Sequence, residues 1–236
     1  IRDVRKIVAA LPRQRQTIFL SATMPKAAAG LAAEMLTDPV RVAVTPTATP
    51  VASSAQSVFF VAASDKSGLL VRVLRDPALA SAIVFTRTKH GANRVAAQLG
   101  KAGVAAEAIH GNKSQGARQR ALESFRTGRA RVLVATDIAA RGIDVDGVTH
   151  VINYELPNVP EDYVHRIGRT ARAGASGAAI SFCDPDEQAY LRDIETLTRR
   201  QLDVAGGTPA TRIARRPARP HAQQRRNAGR RPRRAA

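Results

Sequence analysis

An α/β fold, with helices packed against a mostly parallel sheet, is the class this sequence predicts, and three observations predict it. Strand-like apolar runs alternate with helix-like stretches at a spacing that suits right-handed βαβ units. Aromatic content is 4% with no Trp, so Ala, Val, Ile and Leu must build the core, which favours close helix-on-sheet layers. The run Val132-Leu133-Val134-Ala135 ends in Thr136-Asp137 and is followed at a distance by Arg166, Arg169 and Arg172, three arginines at spacing three. That is how an α/β protein presents polyphosphate and sugar contacts at the carboxyl ends of its strands.

Taken in order, the elements read as follows. Ile1, Val4, Ile7, Val8 and Leu11 have helical spacing, and Pro12 ends the helix. Residues 16–20 form a short β run that delivers Ser21-Ala22-Thr23 to a turn, and Pro25 opens a helix reaching about Leu36. Asp38-Pro39 leads into a strand over residues 40–44. The chain starts in mid-pattern without an initiator Met, so residues 1–45 are read as the end of a domain that begins upstream. Pro46, Pro50 and their Thr and Ser neighbours make residues 46–55 a linker.

Residues 56–203 form the complete domain, with strands near 56–62, 82–86, 104–109, 131–136, 148–153 and 178–183. Helices fall near 65–75, 89–101, 115–127, 160–168 and 185–199. Pro160 with Glu161 and Asp162 is a good helix start, which puts His165, Arg166 and Arg169 along one side of that helix or at its end. From about Gly206 the pattern stops. Gly206-Gly207, four Pro and ten Arg leave nothing for a core, so residues 204–236 are expected to be a disordered basic tail.

Composition narrows the function. The net charge is +18; residues 207–236 carry ten Arg and no acid, and the rest of the chain is also basic. A polyanion partner follows, because clustered Arg displaces the condensed counterions of nucleic acid, whereas a charge run that only solubilises the protein is the plain alternative. The single Cys183 excludes an internal disulfide or a cysteine metal site and suits a reducing, cytoplasmic compartment. No apolar run approaches the roughly 20 residues that span a bilayer, and no signal-peptide pattern is present, so a soluble protein with no membrane partner is expected.

Five stretches carry a resemblance. Ser21-Ala22-Thr23, Ile83 to Arg87, His110-Gly111-Asn112 with Gln115 and Arg118, Ala135-Thr136-Asp137 through Arg141-Gly142-Ile143-Asp144, and His165 through Gly174 resemble the later motifs of DEAD-box RNA helicases, in the same order. The likeness covers roughly residues 1–200. It implies two RecA-like domains, of which residues 1–45 would end the first and 56–203 would form the second. Upstream elements of the family, the Gly-x-x-x-x-Gly-Lys-Ser/Thr phosphate loop and the Asp-Glu-Ala-Asp stretch, do not occur in this sequence. The chain by itself is therefore expected not to hydrolyse ATP.

The resemblance also implies roles. Arg169 and Arg172 are similar to the family's arginine fingers and, with His165, form the implied catalytic set; paired surface arginines and a satisfied structural His are the alternatives. Gly142, Asp144, Arg166, Arg169 and Arg172 are the implied nucleotide contacts, Asp144 facing the ribose unless it simply makes an Asx turn. Arg87, Gly111, Gln115, Arg118 and Thr136 are the implied RNA contacts, made to phosphate and sugar and so carrying little sequence information. Gln115 and Arg118 could instead support a loop, and Thr136 could cap a turn. Ser21 and Thr23 are the implied interdomain coupling pair, against a turn-capping alternative. Ala171 stands where Gly is commoner in the family, a change that is tolerated unless the backbone there needs positive φ.

The reading is the carboxyl-terminal part of an ATP-dependent RNA helicase, an ATP hydrolase that couples hydrolysis to domain closure around RNA. Its cofactors would be ATP and Mg²⁺, the metal held mainly by the upstream domain, with no metal ligands in this chain. It would act as a monomer with RNA and with ribosome-assembly or RNA-decay proteins. A non-catalytic RNA-binding scaffold and a DNA helicase of the same superfamily remain as alternatives.

Overall fold

The computed structural model describes residues 1–21, 24, 26–43, 54–140, 143, 145, 147–171 and 177–209. Its centre is a seven-stranded sheet in which every pairing is parallel, ordered β3-β4-β2-β5-β6-β1-β7. The strands are β1 (Ser54–Phe60), β2 (Ala82–Phe85), β3 (Ala106–Ile109), β4 (Val132–Ala135), β5 (His150–Asn153), β6 (Gly177–Cys183) and β7 (Asp203–Gly206). The helices are α1 (Arg2–Ala9), α2 (Lys26–Met35), α3 (Lys66–Val73), α4 (Lys89–Lys101), α5 (Gln115–Arg126), α6 (Asp137–Ala140), α7 (Pro160–Ile167) and α8 (Gln188–Thr198).

Both faces of the sheet are covered, which is why β2 and β4 are apolar at every position. The two-residue period sorts their side chains. Ala82, Val84, Val132, Val134 and Ile152 pack with Leu70, Leu74, Val95 and Leu99 from the α3 and α4 side. Ile83, Phe85, Leu133 and Val151 point the other way, against Ala121, Phe125 and Ala139 of α5 and α6. On that same face, Val58, Ala179 and Cys183 meet Tyr163, Ile167, Leu191 and Ile194 of α7 and α8. Each large aliphatic group buried this way contributes about 2 kcal/mol. The few aromatics are used at one joint, where Phe182 meets Phe59 (centroids 6.3 Å apart) and Tyr154 (6.1 Å) edge to face.

Local chemistry starts the helices at the site end. Thr88 caps α4 by accepting from the Gly91 N–H at 2.9 Å, and Ser114 caps α5 by accepting from the Ala117 N–H at 3.3 Å. Asp184 and Glu187 form a capping box ahead of α8. Pro160 opens α7, with Glu161 and Asp162 in its first turn and His165 and Arg166 in its last, an arrangement that suits the helix dipole.

Four features differ from the sequence expectation. Residues 16–20 and 40–43 have no regular secondary structure and join no sheet among the described residues: Ile18 is 74% exposed and Val40 91%, and a strand forms only where a neighbour takes its hydrogen bonds. Strand β1 opens at Ser54, inside the stretch read as linker; residues 46–53 lie outside the described residues. The four-residue α6 was not expected. Strand β7 was not expected either, and falls where the tail was placed; of that tail, residues 210–236 lie outside the described residues. β7 pairs with β1 and ends at a tight approach, where a Cβ on Gly207, at φ 73°, would lie 2.0 Å from the Phe60 carbonyl oxygen.

Candidate functional site

Because all seven strands run the same way, their carboxyl ends share one edge, and the motif residues follow directly from them. Thr86 and Arg87 follow β2, His110 and Gly111 follow β3, Thr136 and Asp137 follow β4, and Tyr154 and Glu155 follow β5. Helix α7 and the turn after it bring His165, Arg166 and Arg169 to the same edge, where Phe85, Asp137, Ala140 and Asp162 complete a narrow cleft with them.

Arg166 is the centre of the site, and its side chain is fully buried. Its Nε and Nη2 donate to Asp137 Oδ1 (2.6 Å) and Oδ2 (2.8 Å), and Nη1 donates to Asn153 Oδ1 (3.1 Å) and to the Glu155 carbonyl (2.7 Å). The guanidinium also stacks on Phe85, 5.0 Å from the ring centroid. Phe85, Asp137 and Asn153 stand at or just past the ends of β2, β4 and β5, which are adjacent in the sheet, so this one fork ties three strand ends to α7.

Arg169, one turn on, is anchored by carbonyls. Nε donates to the His165 carbonyl (3.3 Å) and Nη1 to the Ile143 carbonyl (3.1 Å), which ties the end of α7 to the loop after α6. His165 Nδ1 is 3.8 Å from Asp162 Oδ1, too far for a hydrogen bond. Thr170 is buried, and its hydroxyl donates within reach of the Val148 (2.5 Å) and Thr149 (3.0 Å) carbonyls. Ala171 follows at φ 53°, so the backbone there is in the left-handed region that favours Gly. Gly177 packs beneath this turn: a Cβ on it would lie 2.4 Å from Thr170 Oγ1.

The implied RNA contacts lie along the same edge. Thr136 opens α6, its carbonyl accepting from the Ala139 (3.0 Å) and Ala140 (2.9 Å) N–H groups. Gly111 is exposed and a Cβ there would meet nothing within 4 Å, so neither packing nor a positive φ demands Gly. Beside it His110 is buried; Nδ1 accepts from the Asn112 N–H (3.3 Å), which leaves Nε2–H to donate to Asn93 Oδ1 (3.0 Å). Burial first, then the nearby Lys113, Lys89 and His90 charges, lowers the His110 pKa and so favours the neutral ring. Gln115 is exposed at the start of α5, whereas Arg118 is half-buried with its Nε lacking a hydrogen-bond partner among the described residues. The Arg87 side chain is 31% exposed and held by Glu187 and Asn158.

Ser21 is exposed, in an amino-terminal stretch without regular secondary structure. Thr23, Gly142, Asp144 and Arg172 lie outside the described residues. Sequence reading passed over Asn153, Glu155 and Glu187, which hold the motif arginines, and Asp137 as the partner of Arg166. Only Asp137 had a local signal, as the acidic residue next to Thr136 at a strand end. Among the described residues no group of three or more His, Cys, Asp or Glu could hold a metal ion. Cys183 is buried, and its thiol pKa is pushed up to about 12, so it packs as an inert apolar group.

Known proteins fit this geometry. Residues 65–174 match the family described as the helicase conserved C-terminal domain. The Bacillus subtilis DEAD-box ATP-dependent RNA helicase CshA is 43% identical over 203 residues, which is 86% of this chain and 41% of that protein. Escherichia coli SrmB, solved bound to the regulator of ribonuclease activity A, aligns over 67% of this chain and 95% of its own with a TM-score of 0.63 and 36% identity. Saccharomyces cerevisiae Dbp5, solved with RNA and ADP BeF3, aligns over 87% of this chain and 55% of its own with a TM-score of 0.77 and 28% identity. The fold and the strand-end site define a RecA-like helicase domain of the carboxyl-terminal type. The chain belongs to the DEAD-box RNA helicase family, and it spans about two-fifths of the length of CshA.

Proposed function

We propose that this chain is the carboxyl-terminal part of an ATP-dependent RNA helicase and supplies one side of a shared nucleotide and RNA site. Residues 1–45 then end a first RecA-like domain and residues 204–236 form a basic tail. The observation that carries the reading is the Arg166 fork. It fixes the start of α6, next to Thr136, to α7, which bears His165 and leads to Arg169; in this reading Thr136 faces the RNA, and His165 and Arg169 face the nucleotide. A change at either side is then transmitted through one buried residue.

In this reading Arg169 and Arg172 face the terminal phosphates of ATP as permanent cations, Gly142 and Asp144 face the ribose, and His165 belongs to the same catalytic set. Arg166 acts from within the fold, since four of its five N–H donors are engaged in the hydrogen bonds already described. Arg87, Gly111, Gln115, Arg118 and Thr136 hold the RNA backbone; the open surface over Gly111 supports close approach of a phosphate. Ser21 and Thr23 couple the two domains. In this reading the nucleotide is ATP with Mg²⁺, the metal being held mainly by the upstream domain.

RNA in the cytoplasm is the proposed partner, with ribosome-assembly or RNA-decay proteins docking on the domain and the chain acting as a monomer. Among the described residues no helix is long and apolar enough to cross a membrane. Competition between RNA and DNA strands of one sequence for the 236-residue chain tests the RNA assignment. Preferential displacement by RNA is expected; equal displacement would favour a general nucleic-acid translocase.

A further inference from the structure

Arg87 is seated in a cradle that no motif accounts for. Its Nη2 meets Glu187 Oε1 at 3.3 Å, its Nη1 donates to Asn158 Oδ1 at 3.3 Å, and its guanidinium lies 5.8 Å from the Tyr190 ring centroid. Glu187 cannot move to follow it, because Oε2 pairs with Lys66 and Oε1 also accepts from the Leu156 N–H at 3.1 Å. Lys66 is 2% exposed and Glu187 1%, and Asp184 Oδ2 completes the group 3.0 Å from Lys66 Nζ. Two carboxylates thus share one buried ammonium, and the second negative charge is balanced by Arg87.

This inference rests on the proposed contact between Arg87 and RNA. We propose that Glu187 is a positioning residue: with Tyr190 and Asn158, it holds the Arg87 guanidinium in a preset orientation for an RNA phosphate. A long surface Arg normally surrenders rotamer freedom when it binds; one fixed beforehand to a buried carboxylate and an aromatic face has already lost it. The phosphate then takes the donors that the cradle leaves over.

The test is equilibrium binding of a fluorescein-labelled single-stranded oligouridine to the full 236-residue chain across a KCl series. The variants are Arg87→Ala, Glu187→Asp, Tyr190→Leu, and the last two combined with Arg87→Ala. Glu187→Asp keeps the charge but is one methylene short of spanning Lys66 and Arg87. Tyr190→Leu, at a half-buried position, keeps the apolar packing and removes only the ring, so it decides the matter if the aspartate variant misfolds. Arg87→Ala is expected to weaken binding about tenfold and to lower the salt slope by about one. Glu187→Asp and Tyr190→Leu are each expected to weaken it about threefold, and to do nothing further once Arg87 is Ala. Losses that persist in the Arg87→Ala background, or no loss from either single change, would overturn the positioning role while leaving the Arg87 contact intact. No loss from Arg87→Ala would overturn the contact itself.

Discussion

Arg166 and Asp137 form a two-point ion pair, 2.6 Å from Nε to Oδ1 and 2.8 Å from Nη2 to Oδ2, with the arginine side chain fully buried and the aspartate 24% exposed. Removing the aspartate leaves a desolvated cation with only neutral partners. Asp137→Ala is expected to destabilise the fold by about 3 kcal/mol, read as a lowered denaturant midpoint with an unchanged slope. Arg166→Lys should also cost about 2 kcal/mol, since an ammonium cannot reproduce the fork. A loss under about 0.5 kcal/mol for Asp137→Ala, within the range of an ordinary surface substitution, would mean the pair does not anchor α7.

Two small residues shape the turn after Thr170. Ala171 carries a left-handed backbone, so Ala171→Gly removes strain of about 1 kcal/mol, offset in part by the entropy of a more flexible unfolded chain. Its melting temperature should match or exceed that of the parent. Gly177→Ala should instead destabilise by about 2 kcal/mol, because the added Cβ would lie 2.6 Å from the Ala171 backbone nitrogen as well as against Thr170. A lowered melting temperature for Ala171→Gly would contradict the strained turn.

His110 makes stability depend on pH in a definite direction. Its folded pKa lies below the ordinary value, so the unfolded chain binds the proton more readily. Stability is therefore full above the unfolded pKa of about 6.5 and falls as pH drops below it. His150, also lowered chiefly by burial, adds to the same trend. Between about pH 7.5 and pH 5.5, His110→Gln should show a shallower fall in urea midpoint than the parent, as one titrating group is gone. Identical slopes would mean His110 titrates alike in both states.

The Arg-rich tail is expected to add affinity for RNA without discrimination. Deleting residues 207–236, which carry ten Arg, should weaken oligouridine binding and flatten its dependence on KCl concentration. An unchanged salt slope would point to a protein-binding role for that segment.

The residues explain which parts of this architecture could be read from sequence. Strands β2 and β4 announce themselves as continuous apolar runs because both of their faces are covered. Residues 16–20 carry a similar local pattern, yet among the described residues no strand pairs with them, and pairing is not a local property. The reverse holds for β7, where Asp203 and Gly206 hide a strand that exists because β1 offers it an edge. Within the site, the motif arginines were legible and their anchors were not. Lys66 and Glu187 meet across 121 residues of sequence, and no spacing rule connects them. Asp137 was in view beside Thr136, but only the order of β4, β2 and β5 shows why Arg166 reaches it.

The split-site account is tested most directly by RNA-stimulated ATP hydrolysis. Three proteins are compared: this chain alone, this chain joined behind the amino-terminal helicase domain of the Bacillus subtilis relative, and that joined protein carrying Arg169→Ala. Hydrolysis only in the joined protein, reduced by about a thousandfold with Arg169→Ala, is the predicted result. Robust hydrolysis by residues 1–236 alone, or full activity without Arg169, would contradict it.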